Sequence, residues 1–213
     1  MRRSAGESAP DRSWMIRVPE RLRGRTDNVI TTFHGEAYQE AILLDGLIPL
    51  FLPLCTVDIG GRRQAVYFTD GFLPAASAES WDAASLITLL TELIGNVADA
   101  KLRYFFPGEY WIQKDLLYLN RENRAPRLIF CRRRGGDVRH LVADLRTLAE
   151  ELTKNGWCGT LQEKEQILRL LSGEIRDLRI LPRQLSLLNV RADGGADAEE
   201  EALISGPLRR GLV

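Results

Sequence analysis

The residue types that usually carry chemistry are few in this chain and widely spaced. Cys55, Cys131 and Cys158 are odd in number and include no CxxC pair, so we expect reduced thiols that act as small buried hydrophobic side chains. No two of them, with His34 or His140, stand at metal-ligand spacing, and neither histidine belongs to a hydrolase motif. The sequence therefore predicts no catalytic residue, no metal and no cofactor.

The basic residues that could meet a phosphate group are almost all arginines. Arg62 and Arg63, with the run Arg132-Arg133-Arg134, could bind a nucleotide or another small ligand in a cleft. A solvated basic turn is the simpler interpretation, because alternate residues of a strand point to opposite sides. The formal net charge is zero, which argues against a nucleic-acid partner.

Aromatic residues crowd a loop in the middle of the chain. Phe106, Tyr110 and Trp111, with Lys114, are the candidate partner-binding residues, because aromatic side chains are enriched at interface hot spots. The competing interpretation is that they fill the core, where Tyr and Trp are usually found.

The first part of the chain is predicted to form a small antiparallel sheet. Short apolar runs at Val29–Phe33, Tyr38–Leu44, Leu50–Asp58 and Gln64–Thr69 are typical of strands. Gly60-Gly61 separates the last two runs as the turn of a hairpin.

The period of the apolar residues becomes helical near Trp81. Leu86, Leu90, Leu93 and Val97 recur at helical spacing, so we expect a buried helix from Trp81 to about Arg103 with Ser80 as N-cap. We expect it to pack against the next helix through Leu141, Leu145 and Leu148. The remaining predicted elements are strands at Leu116–Leu119 and Arg127–Cys131 and helices that begin at Asp137, Thr160 and about Ile175.

The predicted domain spans residues 28–190 and has an α+β fold. Residues 1–27 contain seven arginines and are predicted to be a disordered arm, and residues 191–213 an acidic, linker-like tail. No signal peptide is visible, and Asp45, Pro49 and Pro53 interrupt the most apolar stretch. We therefore expect a cytoplasmic protein with no direct membrane insertion, peripheral to a membrane only through its partners.

The predicted order of elements resembles a protein kinase with a reduced N-lobe and a truncated C-lobe. The local resemblance lies in Tyr104 to Cys131. Tyr110 stands where the resemblance implies the catalytic aspartate and Asp115 where the loop asparagine would lie, while Cys131-Arg132-Arg133 replaces the Asp-Phe-Gly motif. Residues 1–100 contain no lysine for a nucleotide phosphate. Phosphoryl transfer needs these groups together, so we expect a pseudokinase-like layout without enzymatic activity.

Tyr38–Leu54 (YQEAILLDGLIPLFLPL) and Tyr67–Gly71 carry a more specific resemblance. They resemble an uncharacterised bacterial family usually found N-terminal to forkhead-associated (FHA) domains. That family is similar to the pseudokinase-like cytosolic domain of the type VII secretion subunit EssB/YukC. The resemblance implies protein partners, namely an FHA-domain protein or a secretion-complex subunit. No FHA domain lies before Val213, so we expect that partner domain on another chain or not at all.

Two functions follow from the sequence. The first is a catalytically inactive scaffold that binds proteins in FHA-type signalling or type VII secretion assemblies. The alternative is a regulatory domain that binds a nucleotide or small ligand in the cleft between its lobes.

Overall fold

The protein folds as a mixed α+β structure with two small antiparallel sheets and five α-helices among the residues described. The computed structural model describes residues 15–16, 28–78, 80–173 and 178–194. Most of the predicted arm and acidic tail therefore lies outside the described residues.

The first sheet contains four strands in the order β1-β2-β4-β3, and every pair is antiparallel. Gly60 and Gly61 have φ of 59° and 75°, which confirms the predicted hairpin between β3 and β4. The two-residue strand β1 pairs with β2 although it lies within the predicted arm. The strands are β1 (Met15–Ile16), β2 (Val29–Thr32), β3 (Leu54–Ile59) and β4 (Arg62–Tyr67).

The segment predicted as a strand at Tyr38–Leu44 is instead a helix, α1 (Ala37–Leu44). Glu36 and Gln39 form a capping box at its start, and Gln39 and Leu43 are its buried residues. These two positions are four apart, which is the helical period. The strand prediction was wrong because seven residues are too few to separate the two periods, and the capping box was overlooked.

The second sheet has the order β5-β6-β7, with β5 at Phe72–Pro74, β6 at Leu117–Asn120 and β7 at Pro126–Leu128. Residues 50–52 run parallel to β7: Leu128 N–H donates to Leu50 O at 2.7 Å, and Leu52 N–H donates to Leu128 O at 2.9 Å. The single strand predicted at Leu50–Asp58 is thus divided between the two sheets. Pro53 lies at the division, where it has no N–H to offer to a ladder.

Among the side chains that the structure describes, helix α2 (Ala83–Lys101) supplies more buried ones than any other helix, with nine of its 19 residues buried. Its N-cap is Asp82 rather than the predicted Ser80, because the Asp82 carboxylate accepts the Ser85 N–H at 2.8 Å. Within the described part of the chain, only α2 is long and apolar enough to cross a membrane. Its apolar residues are already accounted for by the protein core.

Three further helices follow, α3 (Val138–Gly156), α4 (Leu161–Ser172) and α5 (Leu181–Gly194). The predicted caps of α3 and α4, Asp137 and Thr160, are confirmed. The predicted pairing of helices was wrong. The closest helical neighbour of α2 is α5, whose Leu181 and Leu185 are fully buried, and α3 lies instead against α4. Periodicity identifies the apolar face of a helix but not the element that covers it.

Candidate interaction surface

The loop between α2 and β6 carries the four predicted partner-binding residues, and the structure gives them different environments. Tyr110 is only 1% exposed and meets Phe51 edge-on, with ring centroids 5.3 Å apart. Phe106 is 43% exposed, while Trp111 and Lys114 are half-buried. Burial raises the pKa of Tyr110. Phe106 is therefore the member most available to a partner, and the binding role of all four stays a prediction.

Arg133 is a core residue, not part of a solvated turn. Its side chain is 3% exposed, and Nη2 donates to both carboxylate oxygens of Asp144 at 2.7 and 2.9 Å. Its guanidinium carbon lies 3.5 Å from the ring centroid of Trp111. The Ile112 N–H donates to the same carboxylate at 3.1 Å. Burial raises the pKa of Asp144, while the hydrogen bonds from Arg133 and Ile112 act in the opposite direction.

Two other arginines of the predicted phosphate site are already bound to carboxylates. Arg63 contacts Glu40 at 2.6 Å and Asp58 at 2.9 Å. Arg132 forms an ion pair with Glu36 at the start of α1. A phosphate would have to displace these groups, so the arginines do not form a ready anion site.

Two of the positions matched to kinase catalytic groups, Tyr110 and Cys131, are withdrawn from solvent. Tyr110 is buried, and its hydroxyl has no hydrogen-bond partner among the described residues. Cys131 is half-buried, and burial raises the pKa of its thiol to about 11, which keeps it protonated at neutral pH. In the ranges that the structure describes, no three His, Cys, Asp or Glu residues lie together as metal ligands do.

Two glycines fix the course of this loop. A Cβ on Gly108, which has a φ of 86°, would lie 1.9 Å from the Asp137 carbonyl oxygen. A Cβ on Gly136 would lie 1.5 Å from the Gly108 carbonyl oxygen. The loop therefore crosses the start of α3 at a distance that only glycine permits, and the aromatic residues that follow are held close to the core.

Just before this crossing, the chain exposes large apolar side chains. Leu102 is 80% exposed and Tyr104 64% exposed, and Phe106 follows two residues later. Tyr104 has a φ of 64°, a conformation that residues other than glycine rarely adopt. Lys101 and Arg103 are also exposed, so the segment combines apolar and positively charged groups.

The outer face of α1 extends this exposed region. Tyr38, Ala41 and Leu44 recur at three-residue spacing and are all exposed. The Tyr38 hydroxyl donates to the Tyr104 carbonyl oxygen at 3.5 Å, which brings the two elements together. We refer to Tyr38, Ala41, Leu44, Leu102, Tyr104 and Phe106 as the α1–loop surface.

The sequence prediction missed the α1 part of this surface because it treated residues 38–44 as a strand. A helical projection of the same residues separates an inner set, Gln39 and Leu43, from an outer set, Tyr38, Ala41 and Leu44. Apolar residues on both faces of a short helix were the available signal.

Comparison with models of protein families found no match, and comparison with curated proteins found none. A solved structure, however, matches nearly the whole chain. The chain is similar in fold to the EssB cytoplasmic fragment of Geobacillus thermodenitrificans. The TM-score is 0.53 at 14% sequence identity, over 91% of this chain and 94% of the EssB fragment. The resemblance to EssB predicted from the sequence is thus confirmed as a similarity of fold.

Proposed function

We propose that this chain is a catalytically inactive, kinase-like module that binds a protein partner through the α1–loop surface. The observation that carries the proposal is the exposure of large apolar side chains on two separate elements that meet at Tyr38 and Tyr104. Single exposed apolar residues are common on protein surfaces, whereas adjoining ones mark interaction sites. Aromatic residues on a backbone already fixed by its own contacts are typical anchors of such interfaces.

The class of partner rests on the similarity to EssB. The shared fold and the family resemblance support a subunit of a secretion complex as the partner, with an FHA-domain protein as the other candidate. Lys101 and Arg103 flank the exposed leucine and tyrosine, which favours a partner with acidic groups around an apolar centre. The same proposal implies a cytoplasmic protein that is peripheral to a membrane complex through its partner.

Catalytic inactivity is supported by the environment of the kinase-equivalent positions. Tyr110 is packed against Phe51, and Arg133 is engaged with Asp144, so neither is free to act on a nucleotide. The burial of these side chains supports a role for the loop as a scaffold rather than as a catalytic loop.

Site-specific photo-crosslinking tests the proposed surface. A photoreactive phenylalanine analogue is placed at Tyr104, at Leu44 or, as a control, at the exposed Leu161 on α4. We expect Tyr104 and Leu44 to capture the same protein in cells of the source organism and Leu161 not to capture it. The captured protein is then purified, and its affinity for the Leu102→Ser/Tyr104→Ser variant is compared with that for Leu161→Ser.

Loss of two hot-spot side chains costs at least about 2 kcal/mol, or roughly a thirtyfold rise in Kd. We expect that rise for the double variant and an unchanged Kd for Leu161→Ser. Equal capture at all three positions, or equal affinity of both variants, would show that the partner binds elsewhere. Capture of a second copy of this chain would replace the proposed partner with self-association.

A further inference from the structure

A cavity of about 170 Å³ opens beside the C-terminal end of α1. Its walls are mainly apolar and come from residues 43–53, with Phe72 of β5 closing one side. Among the described residues that line it, Arg127 of β7 is the only charged one. Leu44 and Leu47 are exposed and are neighbours in sequence of the lining residues Leu43, Gly46 and Ile48, so the cavity lies near the Leu44 end of the α1–loop surface.

The volume decides what class of ligand fits. An apolar cavity of about 150 Å³ holds one benzene ring, whereas sites for drug-sized ligands have about 300 Å³ or more. This cavity therefore accommodates one side chain of the size of Leu or Phe and is too small for a nucleotide.

Arg127 adds a charge requirement to this shape. It is half-buried, and none of the ion pairs among the described residues includes it. Burial lowers the pKa of its guanidinium group, and the carboxylate of Glu92 on α2 opposes the effect from a distance. A cation that is partly withdrawn from water, with no carboxylate bonded to it in the described part of the chain, favours an incoming anion.

We infer that the cavity binds a large apolar side chain of a partner protein, Leu or Phe, that is adjacent in sequence to Asp or Glu. The apolar side chain fills the space between Leu43, Ile48 and Phe72, and the neighbouring carboxylate pairs with Arg127. This inference rests on the proposed function, since the cavity would be the anchoring pocket at one end of the same docking surface.

Two matched peptides test the inference without any knowledge of the partner. Acetyl-Asp-Phe-amide and acetyl-Asn-Phe-amide are titrated into the full chain and followed by two-dimensional NMR of the backbone amides. We expect the Asp peptide to shift the signals of cavity residues with a Kd on the order of millimolar, as suits a fragment-sized ligand. The Asn peptide should bind at least fivefold more weakly, because it lacks the carboxylate.

Variants of Arg127 separate the two requirements. Arg127→Gln should abolish the preference for the Asp peptide, and Arg127→Lys should retain much of it. Arg62→Gln, which removes an exposed arginine at the start of β4, should bind as the unmodified chain does. Unchanged amide spectra without peptide would show that the variants are folded.

Equal affinity for both peptides, an undiminished preference in Arg127→Gln, or shifts outside the cavity would each overturn the inference. These outcomes are independent of the crosslinking result. If the peptides discriminate but no partner crosslinks at Tyr104 and Leu44, the cavity assignment stands and the docking surface does not. If a partner crosslinks at Tyr104 and Leu44 but the peptides do not discriminate, the docking surface stands and the cavity assignment does not.

Discussion

Removing one member of the Arg133–Asp144 pair should destabilise the protein strongly, whereas replacing both members by uncharged residues should cost much less. Both side chains are almost removed from solvent, at 3% and 11% exposure, and two hydrogen bonds of 2.7 and 2.9 Å join them. Arg133→Met leaves a buried carboxylate, and Asp144→Asn leaves a buried guanidinium group. We expect each to lower the free energy of unfolding by about 3–5 kcal/mol.

The double variant should lose much less than the sum of the single variants. Removing both charges leaves no unpaired ion, and the amide oxygen of Asn can still accept the Ile112 N–H. We expect the double variant to lose no more than about 3 kcal/mol, which gives a coupling energy of at least about 3 kcal/mol. Urea unfolding of the four proteins measures these values.

An exposed ion pair on α3, the helix that carries Asp144, provides the control. Arg146 and Glu150 are joined at 2.8 Å, but both are about half exposed. Their coupling energy should be only about 0.3–0.5 kcal/mol. If the losses at Arg133 and Asp144 add within about 0.5 kcal/mol, the two charges do not depend on each other and the reasoning is wrong.

A pH series distinguishes a charge effect from lost packing. In Arg133→Met the pKa of Asp144 should rise further, because burial remains and the bonds from Arg133 are gone. The native state then binds a proton more readily than the unfolded state does. Stability should therefore increase as the pH falls from 7 toward the ordinary carboxyl pKa of about 3.9, whereas Asp144→Asn lacks this contribution. A flat difference between these two variants from pH 7 to pH 5 would assign the loss to packing.

Four further predictions concern the loop, a carboxylate, the core and activity. Gly136→Ala should lower the unfolding midpoint in urea, because its Cβ meets a carbonyl oxygen. As a control, Gly95→Ala in an open helical position should raise the free energy of unfolding by about 1 kcal/mol. Equal effects of the two substitutions would contradict the loop crossing. Hydrogen bonds, first from Thr56 and then from Arg63, lower the pKa of Glu40. The unmodified chain should therefore be more stable than Glu40→Gln above about pH 4.3, and this difference in stability should vanish as the pH falls through the lowered pKa. A difference in Tm that does not depend on pH would refute this. Leu185→Ala should cost about 2–5 kcal/mol by urea unfolding, and an unchanged midpoint would mean that α5 does not cover α2. ATP with magnesium should neither raise the Tm nor label the protein with phosphate; a saturable rise in Tm would instead support the nucleotide-binding alternative.

The sequence predicted elements well where local signals are strong and failed where distant contacts decide. Asp137 and Thr160 begin helices because capping depends on residues three positions apart, and Gly60-Gly61 makes a turn for similarly local reasons. The burial of Arg133 could not be predicted, because its partner Asp144 faces it only after α3 has formed. A run of charged residues normally indicates exposed side chains, and only a tertiary contact such as that with Asp144 places one of them in the core.

The candidate surface shows the same limit. Phe106 was identified from composition alone, but Tyr38 and Tyr104 are 66 positions apart and adjoin only through the fold. From the sequence, Arg127 was assigned only to a strand. Its place in a cavity could not be predicted, because the other walls come from α1, β5 and the segment between α1 and β3, which are distant in sequence.

The pairing of α2 with α5 has a consequence for synthesis in the cell. About 80 residues separate the end of α2 from the start of α5, and ribosomes add about 5–20 residues per second. Helix α2, with its nine buried residues, therefore emerges roughly 4–16 s before the helix that covers it exists. During that interval α2 presents an apolar face to the cytosol, where chaperones and other nascent chains compete for it. Slow codons or a stalled ribosome between residues 102 and 180 should therefore reduce the yield of folded protein more than the same delay placed after residue 194.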